Sequence, residues 1–246
     1  MKKMTLVLTL STLLAGTNCF ANDAPHWGYQ GNNGPQNWSN LKGDYALCGS
    51  GENQSPINIT NTVDAKLPKL NINYRGSGNN VINNGHSIQV NYQPGSTLTV
   101  DGDKFELKQF HFHSPSENTI NGKSFPLEGH FVHADKKGNL AVIAVMFEEG
   151  QANSVLDKFW KQIPKNEGKK SRLTNKVAAR DLLPENTDYY RFNGSLTTPP
   201  CTEGVRWFVM KQPVTVSKHQ VEKFSHIMHH PNNREVQHLN ARLVLE

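Results

Sequence analysis

Turn signals recur along this chain, and between them lie apolar runs too short to be helices. Gly31-Asn32-Asn33-Gly34-Pro35, Gly76-Ser77-Gly78-Asn79-Asn80, Asn83-Asn84-Gly85, Asp101-Gly102-Asp103 and Asn121-Gly122 each gather residues that tolerate positive φ or bond their own backbone. Residues 87–92 alternate between apolar and polar, and residues 97–100 and 105–113 flank an Asp-Gly turn as the arms of a hairpin do. Residues 140–147 (LAVIAVMF) are apolar on both faces, as a central strand requires, and residues 205–210 read the same way. Residues 242–245 are a candidate to close the sheet. Helices are few. Residues 154–163 place Val155, Phe159 and Ile163 at helical spacing before Pro164, and Ser217-x-x-Gln220 is a capping box leading into Val221 and Phe224. No linker divides the chain. The expectation is one mainly β domain with short peripheral helices.

The 246 residues are 36% hydrophobic and 19% charged, which excludes a disordered chain and a membrane bundle. The net charge of +5 comes without a long Lys/Arg run, so no nucleic-acid partner is expected. Lys2 and Lys3, an apolar stretch from Leu6 to Ala15 and the end Cys19-Phe20-Ala21 have the layout of a secretory leader. That stretch is too short to span a bilayer. Thr17, not cysteine, follows Leu14-Ala15-Gly16, which speaks against a lipoprotein. The expected division is a cleaved leader at residues 1–21 and a single mature domain at 22–246, exported to the periplasm. Cleavage removes two lysines and no acid, taking +5 to +3. It also removes Cys19. The remaining Cys48 and Cys201 suggest one bridge in an exported chain, with two free thiols as the alternative.

His111 and His113 stand two apart on an alternating run, so they share a strand face with Gln109, while Phe110 and Phe112 point the other way. Two such imidazoles can form a metal pair or a solvated polar strand. If residues 128–133 form a strand, Glu128, His130 and Val132 share a face, and His130 becomes a third candidate ligand. Three imidazoles leave one position open on tetrahedral zinc, a catalytic pattern. Gln109 and Glu128 each precede a candidate ligand by two residues, where they can hold the second ring nitrogen. His226, His229 and His230 form a competing cluster at a helix end, without a nearby carboxylate.

The ordered set of motifs resembles the α-class carbonic anhydrases over nearly the whole mature chain. It runs from His26-Trp27-Gly28-Tyr29 through Gln54-Ser55-Pro56-Ile57-Asn58-Ile59, Asn83-Asn84-Gly85-His86 and Gln109-Phe110-His111-Phe112-His113. Ser116-Glu117-Asn118-Thr119-Ile120, Glu128-Gly129-His130-Phe131-Val132 and Gly194-Ser195-Leu196-Thr197-Thr198-Pro199-Pro200-Cys201 complete it. The resemblance implies a large twisted, mixed sheet of about ten strands. It implies Zn2+ on His111, His113 and His130, with Gln109, Glu128 and the backbone carbonyl of Asn232 orienting those rings. Glu117 and Thr197 resemble the gate-keeping pair and His86 the proton shuttle. Val132, Val142, Leu196, Val205 and Trp207 match the apolar wall for carbon dioxide, and Thr198 a bicarbonate contact. Tyr29, Asn84 and Gln89 match positions that order water, and Cys48 and Cys201 match the disulfide of exported members. The implied reaction is reversible hydration of carbon dioxide by a zinc-held hydroxide, with esterase activity as a possible second capacity. The implied partner is the small-molecule substrate alone, with no membrane span, for a monomer or homodimer. Asn118 departs from a frequent histidine, Gln89 from a frequent asparagine, and Ser114-Pro115 from a frequent aromatic residue.

These residue types suit that chemistry. Neutral imidazoles preserve the metal's charge. An ionised Glu117 can only accept, so the Thr197 hydroxyl must donate to it. Carbon dioxide offers almost no hydrogen-bonding handle and suits an apolar wall. Histidine, with an unperturbed pKa near 6.5, suits a proton relay. His86 and Gln89 can face one cavity only if the strand begins after His86 or carries a bulge.

Overall fold

The computed structural model describes residues 26–246, and the leader read at residues 1–21 lies outside the described residues. Thirteen strands follow in order: β1 (Asn58–Ile59), β2 (Asn71–Asn73), β3 (Gly78–Asn83), β4 (Ile88–Tyr92), β5 (Thr97–Val100), β6 (Asp103–His113), β7 (Thr119–Ile120), β8 (Leu127–Ala134), β9 (Leu140–Glu149), β10 (Lys169–Arg172), β11 (Tyr189–Ser195), β12 (Glu203–Met210) and β13 (Val214–Val216). The helices are α1 (Trp38–Leu41), α2 (Leu47–Ser50), α3 (Ser154–Trp160) and α4 (Lys218–Met228). Eleven strands form one sheet along the path β10-β3-β4-β6-β8-β9-β12-β11, with β5 joining β2 to β6 and β13 lying against β9. Its pairs are antiparallel except β9–β12 and β9–β13, so the sheet is mixed and one strand larger than expected.

The local chemistry explains the boundaries. Asp101 and Gly102, at φ 52° and 80°, make the positive-φ turn that joins β5 to β6. The Asn84 side-chain oxygen accepts from the amides of His86 (3.0 Å) and Ser87 (2.7 Å), so β4 begins at Ile88, one residue later than the alternation suggests. The capping box at Ser217 and Gln220 is formed, and His229, at φ 63°, ends α4. α3 ends at Trp160 rather than Ile163, because Pro164 disfavours helical backbone before it. Residues 242–245 form no strand; Leu245 makes only isolated bridges to Arg191 and Val63.

β6 does not alternate from end to end. Its pairing with β8 shifts between Leu107 and Gln109, leaving Lys108 as an extra residue. Phe105 and Leu107 before the bulge and Phe110 and Phe112 after it therefore enter the same core, although their spacing changes parity. That core also takes Ile143, Val145 and Phe147 of β9 and the buried sides of α3 and α4. The opposite face of the sheet carries a second cluster with Val142, Ala144, Met146, Val205, Trp207 and Val209. Gly129 sits where a Cβ would meet the rings of Phe112 and Phe147 at 3.2 and 3.3 Å.

Cys48 in α2 and Cys201 form a disulfide across 153 residues, packed on Trp38, so the thiols are not free. Closing a loop of that length stabilises by up to about 5 kcal/mol in the chain-entropy account. Reduction with dithiothreitol is expected to lower the urea unfolding midpoint by a corresponding amount. An unchanged midpoint in reduced protein contradicts that expectation.

Candidate active site

β6 and β8 pair His111 with His130 and His113 with Glu128, and β4 sets Gln89 opposite His111. The strands thus deliver three imidazoles to one face. Each ring is held by an acceptor on its far nitrogen. His111 Nδ1 lies 2.9 Å from Gln109 Oε1, His113 Nδ1 2.6 Å from the Asn232 carbonyl, and His130 Nε2 2.9 Å from Glu128 Oε1. A carbonyl or carboxylate takes only an N–H, so lone pairs remain on His111 Nε2, His113 Nε2 and His130 Nδ1. One nitrogen from each ring lies within 4.8 Å of the others, which makes this a potential metal cluster of the described residues. Burial and the neighbouring imidazoles hold His111 and His130 well below the usual histidine range. Burial also lowers His113, against the opposing pull of the Asn232 carbonyl. All three rings are therefore neutral, each with one lone pair left over.

His113 Nε2, Glu117 Oε2 and Tyr29 Oη are buried without a hydrogen-bond partner. Glu117 Oε2 lies 3.5 Å from His113 Nε2 and 3.9 Å from His130 Nδ1. Buried polar atoms of this kind are costly when nothing is bound between them, and the donor set fits a divalent cation that prefers nitrogen. Burial pushes the Glu117 carboxyl well above the usual carboxylate range, while the Thr197 hydroxyl and the Arg234 amide pull it down. Burial among these residues alone therefore disfavours the ionised Glu117 that would accept the Thr197 proton.

Glu128 does more than face His130. Its carboxylate accepts from the Glu117 amide (2.7 Å), the Asn118 amide (2.9 Å) and Asn118 Nδ2 (2.7 Å). Asn118, which reads only as a departure in the sequence, thus fixes the loop carrying Glu117 to the strand carrying His130. No motif in the sequence singles out Arg234. It is 2% exposed, donates its amide to Glu117 Oε1 at 2.9 Å, and anchors its guanidinium on Gln54 Oε1, the Ser55 carbonyl and the Cys48 carbonyl. Its only early signal is a basic residue two positions after Asn232. Asn232 also binds the carbonyls of His86 and Phe112 through its side-chain amide.

Val132, Val142, Leu196, Val205 and Trp207 join in one apolar cluster beside the imidazoles, and the Trp207 ring meets His130 edge-on at 4.9 Å. The registers Val132↔Val142 and Val142↔Trp207 explain how three separate strands build one wall. Thr197 is buried and Thr198 half-buried in the turn after β11. Gln89 donates to Asn91, and the Asn84 oxygen is spent on its own turn.

His86 precedes β4, which begins at Ile88, so strand alternation does not set it opposite Gln89. Its ring stacks on Trp27 at 3.6 Å and faces His26 at 4.9 Å. Burial, then His26 and His230, lower it to about 4, below the near-neutral value expected of a relay. His26, Trp27, His86 and His230 line a hollow of about 420 Å3 with Glu167. The competing histidines divide: His226 and His229 stay on the end of α4, and His230 turns to this hollow, 6.0 Å from Tyr29. His133, on the other face of β8, is buried between Tyr74 Oη (2.7 Å) and the Ala141 carbonyl (3.1 Å).

A family profile described as eukaryotic-type carbonic anhydrase matches residues 33–246. The carbonic anhydrase of Pectobacterium carotovorum is 49% identical over 243 residues, covering 99% of this chain and 98% of that protein. The α-carbonic anhydrase of Thermovibrio ammonificans, solved with the inhibitor sulfanilamide, superposes with a TM-score of 0.89 at 50% identity, over 90% of this chain and 99% of that one. A hyperthermostable carbonic anhydrase from a hydrothermal vent chimney superposes at 0.88 with 55% identity, over 90% and 99%.

Glu128→Gln replaces one accepting oxygen with a donor inside a ring of donors. The expected cost is about 1–3 kcal/mol of stability, read as a lower urea midpoint. An unchanged midpoint would mean that these buried donors find other partners.

Proposed function

Because the chain belongs to the eukaryotic-type carbonic anhydrase family, we propose that it catalyses the reversible hydration of carbon dioxide to bicarbonate and a proton, with zinc held by His111, His113 and His130. The observation that carries this reading is the convergence of three neutral imidazoles whose opposite nitrogens are all held by acceptors. When bound, zinc supplies a Lewis acid that lets a water ionise near pH 7, an effect for which carbonic anhydrases are themselves the standard example.

The chain's own groups then supply orientation. Glu117, beside the imidazoles that would hold the zinc, would be ionised by that neighbouring charge, which offsets the burial that raises its pKa. Ionised Glu117 accepts the Thr197 proton and leaves the Thr197 oxygen free to accept from the reacting water. Arg234 and Asn118 hold the carboxylate and its loop, so this alignment is set before substrate arrives. Val132, Val142, Leu196, Val205 and Trp207 offer carbon dioxide an apolar berth, with Thr198 beside it for bicarbonate. Tyr29, Asn84 and Gln89 are proposed to order water towards His86.

His86 takes the proton to bulk buffer by leaving the Trp27 stack. Burial is the largest cause of its low pKa, so a ring turned into water returns towards 6.5 and becomes an effective acceptor. The mature enzyme is proposed to be residues 22–246, released in the periplasm. Among the described residues no helix is long and apolar enough to cross a membrane.

His111→Ala is expected to lose both stoichiometric zinc and carbon dioxide hydration in stopped flow. Full activity in that variant sinks the ligand assignment. His86→Ala is expected to turn over slowly in weak buffer and to recover with added imidazole, whereas equal rates in every buffer remove the relay role.

A further inference from the structure

We propose that the sheet edge at β10, together with the segments flanking it, is a docking surface for an anionic phospholipid membrane. From Lys158 to Arg180 the chain carries six lysines and two arginines but one acid, Glu167, while its other 18 basic residues are outnumbered by 20 other acids. The positive charge of the protein is therefore concentrated in this tract. All eight basic residues are exposed, and among the described residues none enters an ion pair.

Folding gathers the tract. Gln162, just past α3, accepts from the Thr174 amide (2.9 Å) and hydroxyl (3.0 Å), which joins Lys158 of α3 and the adjacent Lys161 to the segment after β10 that carries Lys176. Asn83 of β3 accepts from the Gly168 amide at 2.8 Å, so the intervening loop lies on the same edge. The next two strands inward, β3 and β4, add no counter-charge, since residues 76–100 contain no Asp, Glu, Lys or Arg.

Lysines on an edge strand also blunt unwanted strand pairing. That accounts for Lys169, Lys170 and Arg172, but not for Lys158, Lys161 and Lys176, which lie off the strand. The tract's aromatic residues, Phe159 and Trp160, are buried, so it lacks the stacking platforms of a single-stranded nucleic-acid site. Dispersed, mostly lysine charge suits the diffuse potential of an anionic leaflet. Lys165 lines a second hollow that shares Gly85, Glu167 and His230 with the one beside His86. Docking would thus bring that rim towards a bilayer through which carbon dioxide diffuses, a consequence that, unlike docking itself, rests on the proposed reaction.

The test is sedimentation of the mature protein with vesicles of one-third phosphatidylglycerol in phosphatidylcholine, against phosphatidylcholine alone, at low ionic strength. The wild type is expected to bind the anionic vesicles roughly a thousandfold or more tighter, an advantage lost in high salt. The triple variant Lys169→Gln, Lys170→Gln, Arg172→Gln is expected to bind them roughly a hundredfold more weakly, at about fivefold per charge. The control Lys66→Gln, Lys69→Gln, Lys104→Gln loses the same charge elsewhere and should stay close to wild type. If the β10 triple lowers the urea midpoint, Lys158→Gln, Lys161→Gln, Lys176→Gln takes its place. Equal binding to both vesicle types, equal losses in tract and control variants, or tighter capture by polyglutamate or duplex DNA overturns the proposal. Solution turnover of the variants, read separately, keeps this outcome apart from that of the proposed reaction.

Discussion

One extra residue in β6 decides which way the site faces. Lys108 bulges out of the ladder, so Phe105 and Leu107 on one side and Phe110 and Phe112 on the other all enter the larger core. Gln109, His111 and His113 are thereby committed to the opposite face. A one-residue slip would exchange two phenylalanines with two imidazoles across the sheet, which neither core nor ligand set tolerates. The pairing of His111 with His130 and the apolar wall from β8 to β12 follow from the same register.

Around that frame, distant segments supply acceptors. Asn232 holds His113 by its carbonyl and reaches His86 and Phe112 by its side chain. Arg234 connects Glu117 to Gln54, Ser55 and Cys48, and Cys48 is bonded to Cys201 just past Thr197 and Thr198. The disulfide, the carboxylate and the threonine turn are parts of one buried polar assembly. Burial of such groups is expensive unless each finds a partner, and His113, Glu117 and Tyr29 each keep one buried atom without a hydrogen-bond partner.

Much of the architecture was legible in residue patterns. The Asp101-Gly102 hairpin, the two-sided apolar run of β9 and the capping box of α4 each depend on chemistry within a few residues. The failures lie where that locality ends. The expected strand at 242–245 finds no continuous partner. Strict alternation in β6 misses the bulge, although the change of spacing between Leu107 and Phe110 is its trace. An ordinary pKa for Glu117 or His86 cannot be read locally, because burial by residues far along the chain sets both.

The sequence by itself determined the turn positions, the His-x-His face, the Gln109 and Glu128 acceptors two residues from their rings, and the family those motifs resemble. All of these are near-neighbour relations governed by strand periodicity and side-chain reach. Only the tertiary structure decided that Asn118 and Arg234 secure Glu117 and that His86 rests on Trp27. Those relations join residues across the chain, and they exist only once strand pairing and burial have set the distances between them.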